Sequence, residues 1–224
     1  MATSMRPYSG LLAALAVLTP LALGGCASDQ PTRLYKLSAM AEKPATPATH
    51  GVAIGVGPIT LPKYLDRPQL VTGVSSNQLS QANLDQWGGE LNDNMTRVLA
   101  SNLADLLGTD RVSLYPWKNQ APIDYQVTLD VTQFEQDADG KTVLSAFWSI
   151  VNPNNGNVLT MRRSTYREAG APAAASAGTA ANSSAAPSGP SSSDPYNAVA
   201  AAMSRDLEAL SRDIAAAIAG LKGS

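Results

Sequence analysis

The chain has 224 residues, with 16 Lys plus Arg, 18 Asp plus Glu, one Cys, one His and a formal net charge of −2. That length suits one domain, and so balanced a charge excludes a nucleic-acid binder that works by neutralising phosphates with clustered Lys and Arg. One Cys excludes an intramolecular disulfide, one Cys with one His excludes the usual zinc sites, and any Ser-His or Cys-His catalysis would have to use His50.

The first 25 residues read as a signal peptide. Arg6 and the amino terminus supply the positive start, and Leu11 to Leu23 is an apolar run broken only by Thr19 and Pro20. A bilayer span needs ~20 apolar residues, so this run is too short to cross as a stable helix. Leu23-Gly24-Gly25-Cys26 resembles the bacterial lipobox. The resemblance implies cleavage between Gly25 and Cys26, then diacylglycerol on the thiol and an acyl chain, such as palmitate, on the freed amine. Several chains anchor stably where one does not. Ala27 rather than Asp follows the cysteine, which implies sorting to the outer membrane, facing the periplasm.

Residues 26–50 are rich in proline and small polar residues and read as a lipidated tether, with one brief strand at Leu34–Leu37. His50, at the tether's end, reads as a solvated loop residue. A domain over 51–221 follows. Val52–Ile59 is apolar at nearly every position, the pattern of a strand buried on both faces. Gly55 and Gly57 do not make a dinucleotide fingerprint, because Pro58, Pro62 and Pro68 forbid the helix that must follow. They predict close packing of another element instead.

Leu61–Pro68 reads Leu-Pro-Lys-Tyr-Leu-Asp-Arg-Pro, a stiff and irregular connection. Its Asp66 and Arg67 have two readings: an exposed recognition loop, or an Arg67 that locks the loop onto a carboxylate or carbonyl. Gln69–Gly73 is a short strand. The spacing of Trp87, Leu91, Met95, Val98, Leu103 and Leu106 predicts an amphipathic helix over 86–107, capped by Asp85 and stopped by Gly108. Arg111–Trp117 is a strand ended by Pro116.

Three strands then form an antiparallel meander: Tyr125–Glu135, with a slip in its alternation near Phe134, Thr142–Val151 and Asn157–Arg167. Turns ending in Gly140 and Gly156 join them. Asp137 and Asp139 do not begin a calcium loop, since the sixth and twelfth positions are Thr142 and Trp148 rather than Gly and Glu. Residues 170–194 are Ala, Ser, Gly, Pro, Thr and Asn with Asp194 the one charge, and read as a disordered insertion. Asp194-Pro195 opens a second amphipathic helix to Leu221, with Val199, Met203, Leu207, Leu210, Ile214 and Ile218 as its stripe. Asp206, Glu208 and Asp213 are placed on its other side. The expected fold is α+β, a single domain with a mixed, largely antiparallel sheet and two packed helices.

The segment Val56-Gly-Pro-Ile-Thr-Leu-Pro-Lys-Tyr-Leu-Asp-Arg-Pro-Gln-Leu-Val71, with Trp87 opening a helix that ends in Leu-Ala-Asp-Leu-Leu107, resembles the PqiC-like (YmbA, DUF330) family. These are auxiliary lipoproteins of ABC-type and MCE-type transport systems. The likeness covers roughly 33–168 and the last helix. It implies a non-enzymatic lipoprotein with no cofactor beyond the lipid on Cys26. It implies partners in a periplasmic MCE-domain protein and inner-membrane transporter components, and a role in moving lipids and supporting envelope integrity. It also leaves room for a homo-oligomeric ring. Pro62, Tyr64, Leu65, Asp66, Arg67 and Pro68 are the candidate partner contacts, with Tyr64 and Arg67 first because aromatic and Arg side chains anchor interfaces. A structural envelope tether is the competing function. A hydrolase built on Asp124 and Asp130 ranks below it, since six residues of strand hold those groups about 20 Å apart.

Overall fold

The computed structural model describes residues 30–41, 51–117, 122–170 and 194–222. Cys26, Gly25, His50 and nearly all of the 170–194 stretch lie outside them. Among these described residues eight strands form one mixed sheet: β1 (Arg33–Tyr35), β2 (Ile54–Thr60), β3 (Gln69–Ser75), β4 (Gln78–Trp87), β5 (Val112–Leu114), β6 (Tyr125–Gln136), β7 (Lys141–Val151) and β8 (Val158–Ala169). Among the same described residues two α-helices, α1 (Leu91–Leu107) and α2 (Pro195–Lys222), pack with it.

The meander β6-β7-β8 forms as the alternation predicts. Val127, Leu129 and Val131 are buried while Asp130 and Thr132 are exposed. The slip near Phe134 is a bulge between Val131 and Gln133, which keeps Phe134 in the core despite the broken alternation. Asp137 belongs to the turn. Its Oδ1 accepts the Asp139 and Lys141 amides at 3.0 and 2.9 Å, and Gly140 takes a φ of +80°.

β6 is the spine. β7 covers one of its edges, and β2 and then β3 run parallel along the other. β2 is enclosed between β5 and β6, both parallel to it, which suits its apolar sequence. The two helices pack together on the sheet, where Met95, Leu99 and Leu103 of α1 meet Leu207, Leu210 and Ile214 of α2. Each such side chain contributes about 1.5–3 kcal/mol on burial. Gly108 ends α1 in the left-handed conformation, its φ 60°. Asp194 starts α2, its Oδ1 accepting the Tyr196 amide at 3.0 Å.

Three expectations need correction. First, α1 begins at Leu91, and Gln78–Trp87 is the strand β4. The i, i+4 spacing of Trp87 and Leu91 extends the helical pattern backwards, but Gly88-Gly89 breaks it. The Gly88 amide donates to the Tyr35 carbonyl at 2.8 Å, ending a strand. Asp85 is therefore no helix cap. It is buried in β4, where its carboxylate accepts Arg33 Nε at 2.6 Å, Arg33 Nη2 at 2.9 Å and the Tyr35 hydroxyl at 2.7 Å.

Second, part of the segment read as a tether is built into the body. β1 pairs with β4 in parallel, and Tyr35 and Leu37 are buried. Beyond β1, Asn94 of α1 receives the Leu37 amide, Ser204 of α2 the Ser38 amide, and Asn102 of α1 the Met40 amide. The Tyr35 hydroxyl oxygen also lies 2.7 Å from Asp194 Oδ2, so its one proton is shared between Asp85 and Asp194, tying β1 to the start of α2.

Third, Asp206 does not face solvent. It falls three residues after Met203 and four before Leu210, on the apolar stripe, and is fully buried. Its Oδ2 accepts the Thr142 hydroxyl at 2.6 Å, and its Oδ1 has no partner. Burial pushes this carboxyl up from 3.8 to about 7; Glu168 adds to the rise, and Thr142 and Arg205 oppose it. A carboxyl with a higher pKa folded than unfolded holds its proton longer in the fold. Stability should therefore fall as pH rises from about 4 to about 7. Thermal unfolding across that range should show the slope, and Asp206→Asn should flatten it. An unchanged slope in the variant would place the titration elsewhere.

Candidate functional site

The loop between β2 and β3 is a consequence of register. Thr60 lies opposite Asp130 and Thr72 opposite Gln136, so β6 advances six residues while the chain beside it uses twelve. The surplus must leave the sheet, and it leaves as Leu61–Pro68.

That excursion is held from within. A single 3-10 turn, Lys63–Leu65, is closed by the Leu65 amide on the Pro62 carbonyl at 2.9 Å. The Asp66 amide donates to the Lys63 carbonyl at 3.2 Å, and the Arg67 amide to the Leu65 carbonyl at 2.9 Å. Pro62 and Pro68 fix the backbone at either end. The Pro68 carbonyl takes the Trp87 amide at 2.7 Å, tying the loop to the end of β4.

The candidate residues divide by direction. Leu65 is buried and plugs the loop into the core. Tyr64 is half-buried; its hydroxyl donates to Glu135 Oε2 at 2.7 Å, and burial followed by that carboxylate raises the phenol well above its ordinary range. Glu135 is itself buried and also accepts from Gln133 and the Phe134 amide. Tyr64 is thus a clamp holding the loop to β6, with only part of its surface left for a partner. Asp66, Lys63 and Pro68 are exposed. Arg67 is half-buried, and its Nε is enclosed without a hydrogen-bond partner. It does not lock the loop through a carboxylate among the described residues.

A groove of about 780 Å³ runs beside the loop, walled by Leu61, Arg67, Pro68, Trp87, Glu90 and Asn92. A second of about 730 Å³ adjoins it, walled by Pro58, Asn92, Arg97, Tyr115, Pro116 and Trp117. Asn92 stands between them, its Nδ2 donating to the Ile59 carbonyl at 2.7 Å. Asn92, Tyr115 and Trp117 are absent from the residues that sequence reasoning selects; the aromatics flanking Pro116 were the available signal. Tyr115 and Trp117 meet edge to face at 5.5 Å. The β2 glycines make room for them. A Cβ on Gly55 would lie 2.6 Å from the Trp117 ring, and one on Gly57 2.7 Å from Tyr115 Cβ. Gly57 also has a φ of +113°.

This surface is stiff, indented and of mixed polarity. It brings charged, aromatic and proline side chains to one surface, a composition suited to gripping a protein segment. Asp124 and Asp130 do not join it. The Asp124 carboxylate accepts the Ala53 amide at 2.8 Å, and Asp130 is exposed midway along β6. Among the described residues, no cluster of His, Cys, Asp or Glu could hold a metal ion. Gly57→Ala should cost about 2–4 kcal/mol, from backbone strain plus the clash with Tyr115. Tyr64→Phe, which leaves Glu135 one donor short, should cost about 1–2 kcal/mol. Urea unfolding measures both; a neutral Gly57→Ala would contradict the packing described.

No curated protein matches the chain. Solved structures share the fold, two of them at a TM-score of 0.60 or above. One is an uncharacterised protein at 18% identity and TM-score 0.61, the match covering 84% of this chain and 99% of that one. The other is a Xanthomonas campestris protein of DUF330, at 18% identity and TM-score 0.60, covering 85% and 98%. The family model described as the ABC-type transport auxiliary lipoprotein component matches residues 35–188, from β1 through the meander into the Ala/Ser-rich stretch. The chain therefore belongs to the ABC-type transport auxiliary lipoprotein family, in agreement with its PqiC-like sequence features.

Proposed function

We propose that the protein is a non-enzymatic subunit of an envelope lipid-transport system. It is anchored by acyl chains on Cys26 to the periplasmic face of the outer membrane. Its partners are a periplasmic MCE-domain protein and, through it, inner-membrane ABC-type components. The lipid on Cys26 is its one non-protein group. Family membership gives the association with ABC-type transport. The observation that carries the docking role is the 61–68 loop, thrown out of the sheet by register and pinned at Tyr64, Leu65 and Pro68. A pinned loop loses little conformational freedom on binding, so its contacts are not spent on ordering it.

In this reading Asp66, Arg67 and the adjoining grooves grip an extended or loop segment of the partner. Arg67 is half-buried, and the part of its side chain left at the surface is what a partner carboxylate or carbonyl would meet. Tyr64 and Leu65 act from behind, holding the loop's shape.

Co-purification from detergent-solubilised envelope tests this. The wild-type chain should bring down an MCE-domain or ABC-transporter component. Arg67→Ala should reduce the recovery about tenfold without lowering thermal stability, the scale of loss expected for an interface anchor. Recovery dominated by cell-wall fragments would point to a structural tether instead. Cys26→Ser should move the protein from the membrane to the soluble fraction on cell fractionation.

A further inference from the structure

We propose that the tip of the β3–β4 hairpin, carrying Val74 and Leu79, rests on the headgroup zone of the bilayer that holds the anchor. The inference rests on the reading of Cys26 as the lipidated residue.

The argument starts from where the chain enters the fold. β1 is parallel to β4, with Arg33 opposite Asp85 and Tyr35 opposite Trp87. Traced backwards from Arg33, the chain therefore heads toward the Gln78 end of β4, which is the hairpin tip. Seven residues separate Arg33 from Cys26, a reach of at most about 25 Å. The same number of residues separates Asp85 from Gln78 along β4, about 24 Å of strand. A tether drawn out fully along the strand thus brings the membrane no farther from the body than the hairpin tip. Slack taken up along that direction brings the tip closer to the lipid.

The hairpin is made for such a surface. Residues 74–81 are all exposed, with Val74 at 51% and Leu79 at 45%. Residues 69–84 include no Asp, Glu, Lys, Arg or His, only apolar, hydroxyl and amide side chains with one glycine. Such a surface loses no ionic hydration on meeting headgroups of either charge. Depth is limited by the backbone. β1 covers β4 only at Asp85–Trp87, so among the described residues no strand pairs the outer edge of Gln78–Leu84. Unpaired backbone is too costly in hydrocarbon but not in the wet headgroup zone. The hairpin therefore lies on the bilayer, not through it. This contact fixes the orientation of a body that a single tether would leave free to swivel.

Cys26 is the sole cysteine of the chain, which permits a direct test. The mature chain is joined through Cys26 to maleimide-bearing lipid in phosphatidylcholine vesicles, so the anchor is present whatever the cell attaches. Leu79→Trp reports on the hairpin. Val158→Trp, exposed at the opposite end of the meander, is the control. Brominated acyl chains should quench the residue 79 probe at least about twofold more than the control, as expected of apolar side chains held at an interface. That difference should survive high salt, since no charge is involved. Equal quenching at the two positions overturns the proposal. Shielding of residue 79 without vesicles, rising with protein concentration, also overturns it, because a second copy would then be the occupant. The mass of the Cys26 peptide from cells tests lipidation separately. An unmodified Cys26 defeats the anchor reading, whereas equal quenching defeats the hairpin proposal alone.

Discussion

The architecture follows from the demand made on one edge of β6. Two consecutive strands, β2 and β3, lie along that edge in the same direction as β6. The two do not pair with each other; they occupy successive stretches of a single partner strand. The connecting chain carries six residues more than the edge accepts, and it buckles outward at Leu61–Pro68. Proline at each end, a buried leucine and a tyrosine clamped to a buried glutamate turn a topological surplus into a rigid projection. The grooves beside it arise because the helix that follows β4 starts at Leu91, leaving Asn92 against the end of β2.

A second consequence concerns the β1 edge of the sheet. β3 turns back as β4, and β1 joins β4 only near its finish. Asp85 is the knot there. A buried carboxylate needs donors, and Arg33 and Tyr35 supply them, drawing Arg33–Tyr35 into the sheet. Tyr35 then carries the connection to Asp194 and the start of α2. Burial, followed by its two carboxylate partners, raises that phenol well above its ordinary range, so it remains a donor at any physiological pH. The strap at 33–41 thus locks the entry of the chain to both helices.

Much of this was legible in the sequence, and the failures have physical causes. The meander was readable because alternation and glycine turns are local signals, and the slip near Phe134 even marked the bulge. The Asp194-Pro195 start of α2 and the Gly108 stop of α1 were readable as caps. The brief strand at Leu34–Leu37 was readable and forms at Arg33–Tyr35, but its pairing was not, because its partner β4 lies far along the chain, and β4 itself is half solvent-exposed with little alternation. The period of Trp87 and Leu91 suggested one helix where Gly88-Gly89 separates two elements. Asp206 was misplaced because charge was taken as a sign of exposure, although its spacing from Met203 and Leu210 put it on the buried stripe. At the candidate site the loop was found from its prolines. Sequence alone left Arg67 open between lock and contact, and the geometry gives the clamping role to Tyr64 instead. Tyr115 and Trp117 were passed over because the space that seats them is made by Gly55 and Gly57, far away in sequence.

The central claim is that the pinned loop at 61–68 is the docking element of a transport auxiliary lipoprotein. A photo-crosslinking amino acid placed at position 67 in living cells, with the adduct identified by mass spectrometry, tests it most directly. The account predicts one dominant adduct, with an MCE-domain or ABC-transporter component, which weakens when Tyr64→Phe loosens the loop. A crosslink confined to cell-wall material, or no adduct at position 67 while one forms from the far end of the meander, would contradict it.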